Sequence, residues 1–174
     1  MSAPSFDPGS YYELDLARGT VQTRDGRRVV VLYDSTAAAL VSAVARNASR
    51  EVLVQLGGAI GAQARDLLGD VAGASPEKVL GEAAAIFATF GWGRLGLERW
   101  GDALVATLGE PPAVGDDAVE AILAGFFGVL GMRPVGCVAV DHRYLLVDPG
   151  VEAEVRGWAR GGAKLAAVLD RLAA

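Results

Sequence analysis

Residues 116–147 constrain this chain more than any other stretch. They read DDAVEAILAGFFGVLGMRPVGCVAVDHRYLLV: an apolar helix, a break at Arg133-Pro134, then a strand-like run that holds Cys137. The helix carries Val119, Ile122, Leu123, Phe126, Phe127, Val129 and Leu130 around its circumference, with Glu120 as the polar exception. A helix without a polar side has to be covered on more than one face. A sheet, other helices, a second subunit or an apolar ligand can supply the cover. Its longest uncharged apolar run, Ala121 to Met132, falls far short of the roughly 18 residues that span a bilayer, so it reads as a buried helix.

The whole chain fits that reading. With 174 residues, 52% of them hydrophobic and 21% charged, it is long enough for one domain with a real core. Pro4, Pro8 and Gly9 mark residues 1–10 as a flexible arm, and residues 11–174 are expected to form a single domain. The opening MSAPSFDPGSYYELD lacks the basic start and apolar core of a secretory signal, so a cytoplasmic location is expected. One cysteine excludes an internal disulfide and any multi-cysteine zinc site. A net charge of −5, with basic residues dispersed along the chain, excludes the basic face that nucleic-acid binding requires.

Tyr12, Leu14 and Leu16 alternate with polar positions, and Val21 and Thr23 follow Gly19 as strand positions. Asp25-Gly26 is a hairpin signal, and Val29 to Tyr33 reads as a short apolar strand. Asp34 or Ser35 is expected to cap a helix bearing Leu40, Val41 and Val44, and Ser49 to open a second bearing Leu53, Leu56 and Ile60. Gly57, Gly58 and Gly61 lie inside that second helix, where each costs ~1 kcal/mol relative to Ala. Close approach of another backbone, or of a ligand, usually recovers such a cost.

Ser75-Pro76 starts a third helix with Val79, Leu80, Ala83, Phe87 and Phe90 on its buried stripe. Residues 91–96 spell G-x-G-x-x-G, but the segment follows a helix and leads into strand-like sequence, the reverse of the order a phosphate cradle needs. Asp117 and Glu120 have capping-box spacing at the start of the central helix. Val135–Val140 and Tyr144–Val147 read as strands around a turn at Asp141-His142-Arg143, and the last segment is helical with a break at Gly161-Gly162. Hairpins and runs of helices in this order predict an α+β fold, a largely antiparallel sheet packed with apolar helices.

Asp25-Gly26-Arg27-Arg28-Val29-Val30-Val31-Leu32, a helix, and then Val52-Leu53-Val54-Gln55-Leu56-Gly57 with Gly61 resemble the opening of sensor domains in XylR/DmpR-type aromatic-responsive activators. Phe90-Gly91-Trp92-Gly93, the strand near Leu104, the helix Ile122 to Leu130 and the strand with Cys137 resemble the 4-vinyl reductase domain. That family is a small-molecule-binding module sharing its fold with transport-protein-particle (TRAPP) subunits, and the likeness spans roughly residues 20–150. Relatives of this type end on two cysteines with a glycine between them, and the sensor domains hold a structural zinc there. Here Cys137 matches the first, Asp141 replaces the glycine and the second falls near Tyr144, so the zinc is not carried over. No cofactor is expected.

Phe87, Phe90, Trp92, Trp100, Phe126 and Phe127, with Cys137, are the candidate ligand-binding residues. On the resembled fold they would converge near one end of the sheet; as plain core they would pack without a pocket. Adjacent Phe126 and Phe127 cannot both face one pocket. His142, in its turn, reads as solvated, and Cys137, among valines, as an inert buried thiol. Glu152 and Glu154 with Arg156 read as ordinary surface pairs. No G-x-S-x-G, H-E-x-x-H or P-loop motif occurs. The apolar helix and the lack of a catalytic constellation, together with the resemblance, point to a non-enzymatic domain binding a small apolar or aromatic ligand or a protein partner, dimeric through its apolar helices. A structural protein-interaction module like a TRAPP subunit, or a factor in tetrapyrrole vinyl reduction, are the alternatives.

Overall fold

A computed structural model describes residues 7–69, 75–131 and 133–173, so positions 1–6 of the expected arm lie outside the described residues. A 3-10 turn, Pro8–Ser10, leads into a small antiparallel sheet of β1 (Tyr12–Asp15), β2 (Thr20–Thr23) and β3 (Arg28–Val29). Helices α1 (Asp34–Asn47), α2 (Arg50–Leu68) and α3 (Pro76–Thr89) follow. Then come the hairpin β4 (Arg94–Trp100) and β5 (Ala103–Gly109), helix α4 (Asp116–Leu130), the hairpin β6 (Gly136–Val140) and β7 (Arg143–Val147), and helices α5 (Glu152–Arg160) and α6 (Leu165–Leu172). The four later strands form one sheet in the order β4-β5-β7-β6, antiparallel throughout. The fold is α+β.

That sheet is buried on both faces, and strand alternation assigns each residue to a face. Leu97, Ala106, Leu108, Cys137, Ala139 and Leu146 point toward α3 and α4. Val105, Val138, Val140 and Leu145 point the other way, onto Val155 of α5 and Leu165 and Val168 of α6. The α4 helix therefore lies on the sheet, and its far side is covered by α2. Residues 118–127 of α4 are buried without interruption. Fully burying a Leu, Ile or Phe side chain contributes about 1.5–3 kcal/mol, so Ile122, Leu123 and Phe126 make α4 the main apolar contributor to stability.

Close contact of α2 with α4 depends on glycine. A Cβ at Gly57 would overlap the backbone of Ile122, one at Gly125 the backbone of Val54, and one at Gly61 would sit 2.7 Å from the Phe126 carbonyl oxygen. The expected recovery of the helical glycine cost thus comes from a neighbouring backbone.

Several local expectations are corrected. Of the apolar run 29–33 only Val29 is strand, at the end of the two-residue β3, and residues 30–33 are exposed. Tyr33 is the N-cap of α1, with Asp34 already inside the helix. Gly115, not an acidic residue, caps α4, and Glu120 is 4% exposed rather than part of a capping box. Its Oε1 accepts the Ala139 N–H at 2.7 Å and its Oε2 pairs with Arg156. Arg156 also donates to the Cys137 carbonyl at 3.2 Å and to Glu152 at 2.7 Å. Arg156 and Glu152 are mostly buried, so this is no surface pair. Strand β6 lies at the sheet edge, and the Glu120 and Arg156 side chains satisfy the Ala139 N–H and the Cys137 carbonyl there.

The segment at residues 91–96 turns α3 directly into β4, and Gly93 packs at backbone distance from Gly109 and Glu110. It is a helix-to-strand corner.

Candidate functional site

At the C-terminal end of α4, with no α2 residue in its lining, the chain forms a half-open hollow of about 330 Å³. Two helices and two strands build it. Phe127 and Leu130 come from the last turns of α4; Val79 and Leu80 from the start of α3; Leu104 and Leu146 from β5 and β7. Leu104 and Leu146 are cross-strand partners on the α4 face of the sheet, so together they form one apolar wall. Leu104 is 39% exposed although it faces inward, because α4 ends before covering it. Pro134 and Val135, just after the helix, form another side.

Polar groups are confined to the mouth, where Asp102, Arg133 and Asp148 stand exposed. A few polar groups at the edge of an apolar hollow are what a small ligand site requires, and the volume lies at the lower end of the usual range for such sites. The interior offers shape and apolar surface and contains no nucleophile or general base. Among the described residues no group of three or more His, Cys, Asp or Glu side chains comes together to hold a metal ion.

The candidate aromatics divide. Phe127 lines the cavity. Phe126 turns away onto Phe87, with ring centres 4.8 Å apart and edge to face, and it touches Phe127 at 5.3 Å. Phe87 also meets Trp92 at 6.3 Å, so four of the rings form one connected chain behind the cavity. Phe90, at the C-terminus of α3, packs instead on Tyr11 at 6.0 Å. Trp100 stands apart at the end of β4, 38% exposed, its Nε1 donating to Glu98 and its ring under the Arg143 guanidinium. Cys137 is buried on the α4 face of β6, and burial, with the nearby Glu120 charge, pushes its thiol pKa well above the ordinary value. That thiol stays protonated and unreactive.

The chain shares the fold of a phenol-responsive sensory domain. The crystal structure of that domain, from the transcription activator PoxR with phenol, matches with a TM-score of 0.61, covering 84% of this chain and 91% of that one. Sequence identity is 12%, so the likeness is one of fold. No family model and no curated protein matches the chain. No described helix is long and apolar enough to cross a membrane.

The aromatics carry a visible signal in the sequence, and the aliphatic wall does not. Val79 and Leu80 were legible as part of a buried stripe, but Leu104 and Leu146 become neighbours only through strand pairing across a helix and a hairpin.

A second hollow, of about 270 Å³, lies by the N-terminal half of α4 and is lined by Arg50, Leu53, Asp117, Glu120, Arg156 and Arg160. Its charges largely answer one another: Arg50 pairs with Glu152 at 2.6 Å, and Arg156 pairs with Glu120 and Glu152. The Arg50–Glu152 and Arg156–Glu120 pairs link α2, α4 and α5 around it.

Proposed function

We propose that this chain is a non-enzymatic, small-molecule-binding or sensing domain of the 4-vinyl reductase type, with an apolar or aromatic ligand held in the cavity at the C-terminal end of α4. The observation that carries the reading is the Leu104–Leu146 wall facing Phe127 across an apolar hollow. The PoxR domain, of the same fold, was crystallised with phenol, which supports an aromatic ligand of similar size here. Phe126, Phe87 and Trp92 act from behind, fixing the ring of Phe127. Phe90, Trp100 and Cys137 contribute to the setting and not to ligand contact, so the proposed contact set is narrower than the list of aromatics.

Calorimetric titration with phenol, and then with alkylphenols of increasing size, tests the reading. The wild-type chain binds with one-to-one stoichiometry, and Leu146→Trp, which fills the hollow, abolishes the heat while leaving the thermal transition cooperative. Unchanged binding in Leu146→Trp would remove this cavity from the account. A location in the cytoplasm and a single domain over residues 11–174 belong to the same proposal.

A further inference from the structure

The charged hollow beside the N-terminal half of α4 presents two charges that the fold leaves unused. Four charged groups around it form a closed set. Glu120 and Glu152, with side chains 5% and 17% exposed, hold the Arg156 guanidinium between them, and Arg50 shares Glu152 at 2.6 Å. Two cations thus meet two carboxylates. Arg160, one turn further along α5, lines the same hollow and has no ion-pair or hydrogen-bond partner among the described residues. Asp117, in the first turn of α4, reaches only Arg156, at 3.8 Å, and its side chain stays 89% exposed. One guanidinium and one carboxylate therefore border a half-open hollow of about 270 Å³ without pairing with each other.

Charge decides which ligand fits. An apolar molecule would take these groups out of water and offer them nothing in return. A simple anion would meet Arg160 but also Asp117 and Glu120, and a simple cation would meet Asp117 but also three guanidiniums. A molecule carrying a carboxylate and an ammonium on one small frame satisfies both unused groups. The planar guanidinium fork takes a carboxylate through two parallel N–H···O bonds, and a carboxylate accepts from an ammonium. Ala45 and Leu53 supply the apolar part of the lining. We propose that this hollow is a second ligand site, for a free α-amino acid with a short aliphatic side chain, its carboxylate on Arg160 and its ammonium on Asp117. The two hollows have no lining residue in common, so the amino acid does not compete with a ligand at the end of α4.

The site does not depend on the aromatic-ligand reading, and its test uses no aromatic ligand. Thermal unfolding of the wild-type chain with L-alanine, L-valine or L-leucine at about 10 mM reveals a millimolar or tighter Kd as a rise in Tm. At least one of the three raises it, and calorimetric titration of that amino acid gives the Kd. Its analogues without the ammonium or without the carboxylate, isocaproate and isoamylamine in the case of leucine, bind about tenfold more weakly or worse, each having lost one charge-assisted contact. Arg160→Gln and Asp117→Asn, both at exposed positions, keep the Tm of the free protein and weaken binding by a similar factor. Leu146→Trp, which fills the apolar hollow, leaves it unchanged. No rise in Tm with any of the three amino acids overturns the proposal. So does an analogue with a single charge that binds as tightly as the amino acid, since the site would then read that charge alone. Binding that survives either charge-removing substitution, or that Leu146→Trp removes, places the ligand elsewhere and equally overturns it.

Discussion

A methyl group on Gly125 would run into the carbonyl oxygen of Val54. The two residues belong to α4 and α2, and their contact lets a helix that is apolar all round be covered by a second backbone. Gly57 and Gly61 repeat the relationship along α2, so the two helices meet backbone to backbone over about one and a half turns.

Gly125→Ala is therefore expected to destabilise the fold by about 3 kcal/mol or more, because the obstacle is backbone and cannot swing aside. Gly81→Ala on α3 meets nothing within 4 Å and is expected to stabilise by ~1 kcal/mol through helix propensity. Paired urea titrations check the contrast; equal effects of the two substitutions would contradict close backbone packing.

Glu120→Ala leaves the Arg156 charge mostly buried without its main partner and takes the acceptor from the Ala139 N–H. A cost of about 3–5 kcal/mol follows from breaking a buried pair on one side. Replacing both residues, as Glu120→Leu with Arg156→Met, removes the stranded charge, so the double variant loses less than the sum of the single losses. A double-mutant cycle in chemical denaturation measures this, and additive losses would show that the two side chains act independently.

Asp141 links the β6–β7 turn to α6. Its carboxylate accepts the Leu165 N–H and the Lys164 ammonium, each at 2.8 Å. The Lys164 contact first, and the Leu165 N–H second, hold its pKa below the ordinary 3.8. A depressed carboxyl pKa gives stability that is complete above the unfolded value and lost as pH falls through the folded one. Acidification to below pH 3.8 is expected to release α6 from the turn, and Asp141→Asn to flatten that part of the stability profile. Hydrogen exchange of α6 amides against pH reads it; identical profiles for the two proteins would contradict the link.

Much of this architecture was legible in the chain. The apolar circumference of α4 demanded cover on two sides, and Gly57 and Gly61 already signalled a close neighbour; the strand at Val135–Val140 was legible, but not the layer of α5 and α6 on its other face. The misread parts share a physical cause. The exposed run at residues 30–33 has the composition of a strand and, among the described residues, no strand beside it. Glu120 has capping-box spacing, yet its carboxylate finds the Ala139 N–H, a partner nineteen residues away that only the folded sheet edge presents. The cavity wall was hidden in the same way, since ordinary leucines carry no mark of which of them face a hollow.

Methyl NMR of the wild-type chain during a phenol titration tests the central claim most directly. Saturable shifts concentrated on the methyls of Val79, Leu80, Leu104, Leu130 and Leu146, with Leu53 and Val155 unmoved, are the result expected for a ligand in the cavity at the end of α4. Shifts that are absent throughout, or that saturate at residues away from this wall, would contradict it.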